Sequence, residues 1–205
     1  AKPDHTWIGS SCHIHLSLWD PEGTRSLFPS EDPHEPSEVF RHCLGGLTAH
    51  MRELSAFVAP NINSYKRYAS ESWAPTTLAW GRDNRTCGFR LVGHGNGLRV
   101  ESRIPGADTN PYLAFAAMIA AGLHGLDNEL EAPPLFEGNA YADPDLPRVP
   151  STLREAIDEL ERSKVAREAL GDDVVDHYLN YVRTEQRLFD EAVTCYERER
   201  LFERV

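Results

Sequence analysis

Alternation of polar and apolar residues marks two short strands, at residues 12–18 and 98–104. Successive side chains of a strand point to opposite faces, so one face of each strand is polar. The polar faces carry His13, His15 and Ser17 on the first strand, and Arg99, Glu101 and Arg103 on the second. Two half-buried strands with solvated outer faces would show the same alternation. The occurrence of two such strands together favours a metal- and anion-binding surface.

Apolar residues at helical spacing predict a helix that Ser37 caps and that runs to Val58, before Pro60. Asn110 suits the N-cap of a second helix, which is apolar almost all round and is therefore expected to be buried. The chain from residue 151 to 205 also has a helical pattern.

Turn and loop composition divides the remaining chain. Turn-rich or loop segments are predicted at 20–36, 61–75 and 133–150, and strands at 76–80, 89–92 and 98–104. Strands followed by helices in this order predict an α+β fold with an antiparallel sheet, flanking helices and a helical C-terminal tail. No repeat or linker divides residues 1–205.

Charge narrows the choice of partner. The chain has 21 Lys plus Arg against 32 Asp plus Glu, a net charge of -11. This balance argues against nucleic acid and anionic membranes as partners, since both require a basic face. The longest uncharged apolar stretch, 111–123, is too short to span a bilayer. A local group of arginines in an acidic chain instead suits a small anionic ligand.

The four cysteines are widely separated, at positions 12, 43, 87 and 195. No pair has the spacing of a zinc knuckle or a redox motif. Reduced thiols and a cytoplasmic location are therefore expected.

Five segments combine small, ionisable and aromatic residues in a characteristic order: 9–18 (GSSCHIHLSL), 63–67 (NSYKR), 79–85 (AWGRDNR), 99–103 (RVESR) and 110–118 (NPYLAFAAM). Their order and spacing across residues 9–126 resemble the catalytic domain of the glutamine synthetase family. The resemblance implies a glutamine synthetase/guanido kinase-like fold. It also implies ATP-dependent amide formation at the γ-carboxyl of L-glutamate, through γ-glutamyl phosphate.

The same resemblance implies a role for each matching residue. His13 and Glu101 match metal ligands, and their mixed chemistry suits Mg²⁺ or Mn²⁺. Positions matching ATP contacts are His15, Ser17, Arg85, Arg90 and Arg99. Positions matching glutamate contacts are Gly9, Arg67 and Arg103. Arg85 and Arg103 are the expected catalytic residues, because arginines stabilise charge on a transferring phosphoryl group.

One departure from the family concerns the amine. Ammonia-using members carry a glutamate before an Ala-Pro pair, where it accepts a proton from ammonium, and this chain has Trp73 there. An indole cannot accept that proton, but its face can pack on an alkyl amine or attract a cation. We therefore expect an organic amine such as ethanolamine, a polyamine or another monoamine. Glu71 is a substitute base that keeps glutamine synthesis from ammonia as the alternative.

A second departure is that the family's N-terminal β-grasp domain has no counterpart in residues 1–205. We therefore expect the C-terminal portion of a catalytic domain, inactive alone, whose parent forms a homo-oligomeric ring. Tyr141 falls near a tyrosine that some bacterial relatives adenylylate, but its surroundings differ and an ordinary loop role is favoured. Two other interpretations stay open: a cupin-like site with His13 and His15 on one metal, and a non-catalytic nucleotide-binding pseudoenzyme.

Overall fold

A four-stranded mixed sheet lies at the centre of the computed structural model, which describes residues 1–32, 36–202 and 204. The strands are β1 (Ile14–Leu16), β2 (Trp80–Arg82), β3 (Phe89–Val92) and β4 (Arg99–Ser102), in the order β1-β4-β3-β2. Strand β4 is antiparallel to β1 and β3. The α+β class is confirmed.

The prediction of an antiparallel sheet is wrong at one edge, because β2 runs parallel to β3. Strand β2 is so short that the loop 83–88 can return along its length. The chain then starts β3 beside Trp80, in the same direction as β2.

The strand register separates an apolar row from a polar row. Ile14 lies opposite Ser102, Ser102 opposite Phe89, and Phe89 opposite Trp80. The apolar members of this row are buried in the core. The neighbouring row consists of His15, Glu101, Arg90 and Gly81. Because adjacent residues of a strand face opposite ways, the second row forms the polar face of the sheet.

Helices form nearly all of the remaining regular secondary structure. They are α1 (Glu38–His50), α2 (Ser55–Val58), α3 (Ile62–Tyr65), α4 (Pro111–Asp127), α5 (Leu153–Arg162), α6 (Lys164–Leu170), α7 (Asp172–Glu191) and α8 (Cys195–Leu201). The predicted caps are confirmed: the Ser37 side chain accepts a hydrogen bond from the Phe40 amide, and Asn110 accepts one from Tyr112. Gly171 separates α6 from α7 at a φ of 84°, which suits glycine.

The helix predicted from Ser37 to Val58 is interrupted. Helix α1 ends at His50, and a turn precedes α2. Met51 and Leu54 in this turn are fully buried, like Phe57 beyond it. Apolar residues therefore continue to face one core through the turn, and periodicity alone could not reveal it. The predicted loop 61–75 likewise contains the short α3.

Helices α1 and α4 approach closely at glycines. A Cβ atom placed on Gly46 would lie 2.0 Å from the Ala121 carbonyl oxygen, and one on Gly125 would lie 2.2 Å from the His42 carbonyl oxygen. Both distances are shorter than a van der Waals contact. Only glycine therefore permits this crossing.

The prediction that α4 is buried all round is wrong. Its inner residues, such as Ala114 and Ala121, are fully buried. An outer apolar stripe is instead exposed and consists of Tyr112, Phe115, Ile119 and Leu123. Nothing in the described part of the chain covers that stripe.

Two smaller observations complete the fold. Residues 33–35 of the predicted turn-rich segment, and the chain ends at 203 and 205, lie outside the described residues. Within the described ranges, no helix has the length and apolar character required to cross a membrane.

Replacing Gly46 by alanine should destabilise the chain by about 3 kcal/mol, because the added methyl forces α1 and α4 apart. Gly97→Ala is the matched control, since the added Cβ would lie in open space. Urea denaturation of both variants measures the difference. Equal stability of Gly46→Ala and the wild-type chain would contradict the packing described above.

Candidate active site

Glu101 is the centre of the polar face. Its side chain is only 5% exposed. Oε1 lies 2.8 Å from His13 Nδ1 and accepts from Arg103 Nη1 at 3.1 Å, while Oε2 accepts from Arg90 Nη1 at 2.9 Å. A buried carboxylate requires such partners, because an unpaired buried charge is strongly unfavourable.

The surroundings of Glu101 keep it ionised. Burial alone would raise its pKa, but the Arg90 hydrogen bond and the charges of Arg103 and His13 outweigh burial and hold the pKa below its ordinary value. Burial and the charge of Arg103 lower the pKa of His13 despite the adjacent carboxylate. A neutral imidazole beside a carboxylate therefore faces this surface at neutral pH.

Arg90 is held between two carboxylates. Besides Glu101, its Nε donates to Asp83 Oδ1 at 2.9 Å, and its Nη2 also donates to Asp83. Asp83 adopts a φ of 50°, a left-handed conformation that Asp tolerates better than most residues. The Arg90 guanidinium is thus fixed over the sheet.

His15, Ser17 and Arg99 form the other end of the surface. Arg99 Nε donates to His15 Nδ1 at 3.1 Å, and the Trp19 indole donates to Ser17 Oγ at 3.0 Å. Burial lowers the pKa of His15 more than the nearby Glu101 raises it. His13 pairs with Glu101, whereas His15 accepts from Arg99, so the two imidazoles have different partners. These separate contacts do not support the cupin-like interpretation, which needs both histidines on one metal.

Arg103 connects the sheet to two loops. In addition to Glu101, its Nε donates to the Arg85 carbonyl at 3.2 Å and its Nη2 to the Trp73 carbonyl at 3.1 Å. The side chain is 5% exposed. One guanidinium therefore fixes the segments that carry Arg85 and Trp73 relative to Glu101.

Arg67 and Gly9 are neighbours, but the Arg67 guanidinium points inward. A Cβ on Gly9 would lie 2.7 Å from Arg67 Cγ, so only glycine fits there. Arg67 is 2% exposed, and its Nη2 donates to the Ile104 carbonyl. Its Nε has no hydrogen-bond partner within the part of the chain that the structure describes.

Trp73 and Glu71 lie in a loop with an unusual backbone. Their φ angles are 61° and 58°, in the left-handed region that bulky residues rarely adopt. The Trp73 side chain is exposed and lines a cleft of about 520 Å³ together with Arg85, Leu135 and Phe136. An aromatic side chain and an arginine therefore border the same cleft.

His13 and Glu101 fit one side of a hard divalent cation, since a neutral imidazole and an ionised carboxylate lie within hydrogen-bond distance of each other. Across residues 1–32, 36–202 and 204, no cluster of three or more His, Cys, Asp or Glu side chains has metal-binding geometry. These two residues alone do not complete a coordination shell.

The mixed sheet, its polar face and the flanking helices correspond to the class of catalytic domain that the glutamine synthetase family defines. The family model described as "Glutamine synthetase, catalytic domain" matches residues 1–201. The chain therefore belongs to the glutamine synthetase family, as the motifs predict. Members of this family generally use ATP and divalent metal ions.

Several curated relatives share substantial identity with the chain. It is 52% identical over 197 residues to the gamma-glutamylethanolamide synthetase GlnA4 of Streptomyces coelicolor, covering 96% of this chain and 42% of that protein. It is 46% identical over 181 residues to a glutamate–isopropylamine ligase of a Pseudomonas species, covering 87% and 39%. A type-1 glutamine synthetase of Dictyostelium discoideum is 40% identical over 212 residues, covering 99% and 40%. The chain thus spans about two fifths of the length of these relatives.

The architecture also matches solved structures. A GmaS/ADP complex superposes with a TM-score of 0.88 at 30% identity, covering 98% of this chain and 48% of that one. Ligand-free GmaS gives a TM-score of 0.87 at 31% identity, with 98% and 47% covered.

Sequence reasoning missed three residues that the structure places at the site. Asp83 binds Arg90, Asn139 donates to Glu71 Oε1 at 3.1 Å, and Tyr141 donates to the Ala74 carbonyl at 2.9 Å. The partners of Asn139 and Tyr141 are distant in sequence, so no local pattern could have revealed them. The interpretation of Tyr141 as an ordinary loop residue omits this contact.

Replacing Glu101 by glutamine should destabilise the chain by about 3 kcal/mol at pH 7, because Arg90 and Arg103 then lose a buried anion. Since the folded state lowers the Glu101 pKa, its stabilisation is present above the ordinary pKa and is lost as pH falls through the folded value. Urea denaturation should therefore show the two proteins converging below about pH 4.

Glu161→Gln is the matched control. Glu161 pairs with Arg183 at 2.7 Å, but both side chains are about half exposed. Exposed pairs contribute little to stability. A Glu101→Gln variant as stable as this control at pH 7 would show that the buried cluster does not hold the sheet together.

Proposed function

We propose that the whole enzyme joins the γ-carboxyl of L-glutamate to an organic amine at the expense of ATP. The main support is the position of Trp73, which lies in the loop next to Arg103 and Arg85 and lines the adjacent cleft. An aromatic face beside the reacting centre suits the alkyl part of an organic amine, which ammonium lacks.

The relatives support an organic amine. The relative named as a gamma-glutamylethanolamide synthetase is 52% identical to this chain. The relative named as a glutamate–isopropylamine ligase is 46% identical. Relatives named glutamine synthetase from Dictyostelium discoideum and Methanococcus voltae are 40% and 36% identical. Glutamine synthesis from ammonia is the second candidate, with Glu71 as its proton acceptor.

The proposed reaction has two steps. A γ-carboxylate oxygen of glutamate attacks the γ-phosphorus of ATP, and the bond from that phosphorus to the β–γ bridging oxygen breaks to release ADP. The neutral amine nitrogen then attacks the γ-carbonyl carbon, the carbon–oxygen bond to phosphate breaks, and the nitrogen loses a proton. Arg85 and Arg103 stabilise the negative charge that develops in both steps. Glu71 is our candidate acceptor of the amine proton.

The nucleotide side of the site is proposed to consist of Arg90, Arg99, His15, Ser17 and Arg85. The guanidinium groups of the three arginines suit phosphate oxygens. The solved GmaS structure is an ADP complex, which supports a nucleotide ligand for this chain. ATP is thus the proposed phosphoryl donor.

The proposed metal is Mg²⁺ or Mn²⁺, held in part by His13 and Glu101. When bound, it would draw charge from the phosphate oxygens. The proposed glutamate contacts are Gly9, Arg67 and Arg103, of which Arg67 would have to turn from its inward position.

Other expectations concern the whole protein. That residues 1–205 are the C-terminal portion of a catalytic domain stays a prediction, as do the ring-shaped homo-oligomer and the cytoplasmic location. Turnover by the full-length enzyme would distinguish the proposed ligase from the non-catalytic pseudoenzyme.

Phosphate release by the full-length enzyme tests the proposal. ATP, Mg²⁺ or Mn²⁺ and L-glutamate are combined with ammonium, ethanolamine, isopropylamine, putrescine or spermidine in separate reactions. We expect release with an organic amine and not with ammonium. Release with ammonium alone would establish glutamine synthesis, and no release with any amine would favour the pseudoenzyme.

Trp73→Glu should raise the KM for the organic amine about tenfold and introduce activity with ammonium. The aromatic contact contributes on the order of 1 kcal/mol, and a carboxylate can accept the ammonium proton. Trp73→Phe is the control that keeps an aromatic face, and it should retain the wild-type amine preference. A Trp73→Glu enzyme with no ammonium activity would show that this position does not select the amine.

A further inference from the structure

The loop that carries Glu71 and Trp73 is held in an unfavourable backbone conformation. Both residues have φ near 60°, and neither is glycine. Such conformations cost on the order of 1–3 kcal/mol each and persist where surrounding contacts determine them. The contacts that determine this loop are therefore functionally informative.

Two of these contacts come from a distant segment, residues 139–141. The Tyr141 hydroxyl donates to the Ala74 carbonyl at 2.9 Å, and Asn139 Nδ2 donates to Glu71 Oε1 at 3.1 Å. The Asn139 contact is at Glu71, two residues before Trp73, and the Tyr141 contact is at Ala74, the residue directly after it. Arg103 adds a further contact, at the Trp73 carbonyl itself. Within the loop, Ser72 Oγ also donates to the Arg67 and Ala69 carbonyls.

The 139–141 segment is itself anchored beside Arg85. The Ala140 amide donates to Thr86 Oγ1 at 2.9 Å, and Asn84 Nδ2 donates to the Gly138 carbonyl at 2.9 Å. Ala140 is fully buried against Ala79 and Cys87. The segment is thus attached to the connection between β2 and β3 and can transmit its position to the Trp73 loop.

A hydrogen bond also joins Asn139 and Tyr141, the two residues that tether the loop. Asn139 Oδ1 accepts from the Tyr141 amide at 3.0 Å while its Nδ2 binds Glu71. The orientation of the Asn139 amide is therefore set by both partners.

We propose that Tyr141 and Asn139 are positioning residues that hold the Glu71–Ala74 loop so that Trp73 faces the amine. This inference rests on the proposed function for the identity of the amine, but the tether itself does not depend on it. Loss of either hydrogen bond leaves the fold intact and lets the loop relax toward ordinary backbone angles. Binding of the amine then weakens, while binding of ATP and glutamate on the sheet does not.

Two nearly isosteric variants test the tether. Tyr141→Phe removes only the hydroxyl. Asn139→Asp keeps the acceptor for the Tyr141 amide and replaces the donor to Glu71 by a carboxylate that repels it. Tyr112→Phe is the matched control, because Tyr112 is 83% exposed on α4 and makes none of the loop contacts described above.

Hydrogen exchange of the 205-residue chain is the readout that needs no turnover. Within residues 71–74, we expect exchange of the Ser72 and Ala74 amides, which donate to the Ala69 carbonyl and to Ser72 Oγ, to become about tenfold faster in both variants, as loss of about 1.4 kcal/mol would give. Exchange elsewhere, and in Tyr112→Phe, should stay unchanged. Unchanged exchange at 71–74, or an equal increase over the whole chain, would overturn the inference.

Kinetics of the full-length enzyme supply the second readout. The KM for the preferred amine should rise about tenfold in both variants, with the KM values for ATP and glutamate within about twofold of wild type. An unchanged amine KM, or an equal rise in all three, would overturn the positioning role. If the wild-type enzyme uses only ammonium, the proposal of an organic amine as substrate is wrong. Amide exchange at residues 71–74 and the KM for ammonium then still test whether Tyr141 and Asn139 position the loop.

Discussion

The ion cluster around Glu101 is the constraint on which the rest of the site depends. A carboxylate with 5% exposure is compatible with folding only because Arg90, Arg103 and His13 surround it. Arg90 lies in β3, Arg103 directly follows β4 and His13 directly precedes β1, so the cluster ties three strands together on the polar face. Removing one charge would leave the others buried without compensation. The residues that form the polar surface therefore also stabilise the sheet.

Arg103 also connects the sheet to the two loops that carry Arg85 and Trp73. Its three donor groups reach Glu101, the Arg85 carbonyl and the Trp73 carbonyl. The expected phosphate side and the expected amine side are therefore positioned by a single buried side chain. An enzyme that transfers a phosphoryl group and then admits an amine must hold these sides in register, because reactivity depends on orientation.

Much of the site could be predicted from the sequence, since strand alternation places residues on faces without knowledge of the fold. That rule put His13 with His15, and Arg99 with Glu101 and Arg103, and the motif order identified the family. The pairing of β2 with β3 could not be predicted, because it depends on how a short loop returns. The inward direction of Arg67 and the Tyr141 contact also depend on residues distant in sequence. Apolar periodicity misled for α4, where it cannot distinguish a buried stripe from an exposed one.

Transfer of ¹⁸O tests most directly the central claim, that the whole enzyme activates glutamate as an acyl phosphate before an organic amine attacks. The full-length enzyme is incubated with ATP, Mg²⁺, ethanolamine or isopropylamine, and glutamate labelled with ¹⁸O in its γ-carboxyl group. Mass spectrometry then measures the label in the inorganic phosphate. The account predicts that each phosphate released with amide formation carries an oxygen from the γ-carboxyl. Amide formation with unlabelled phosphate would contradict it.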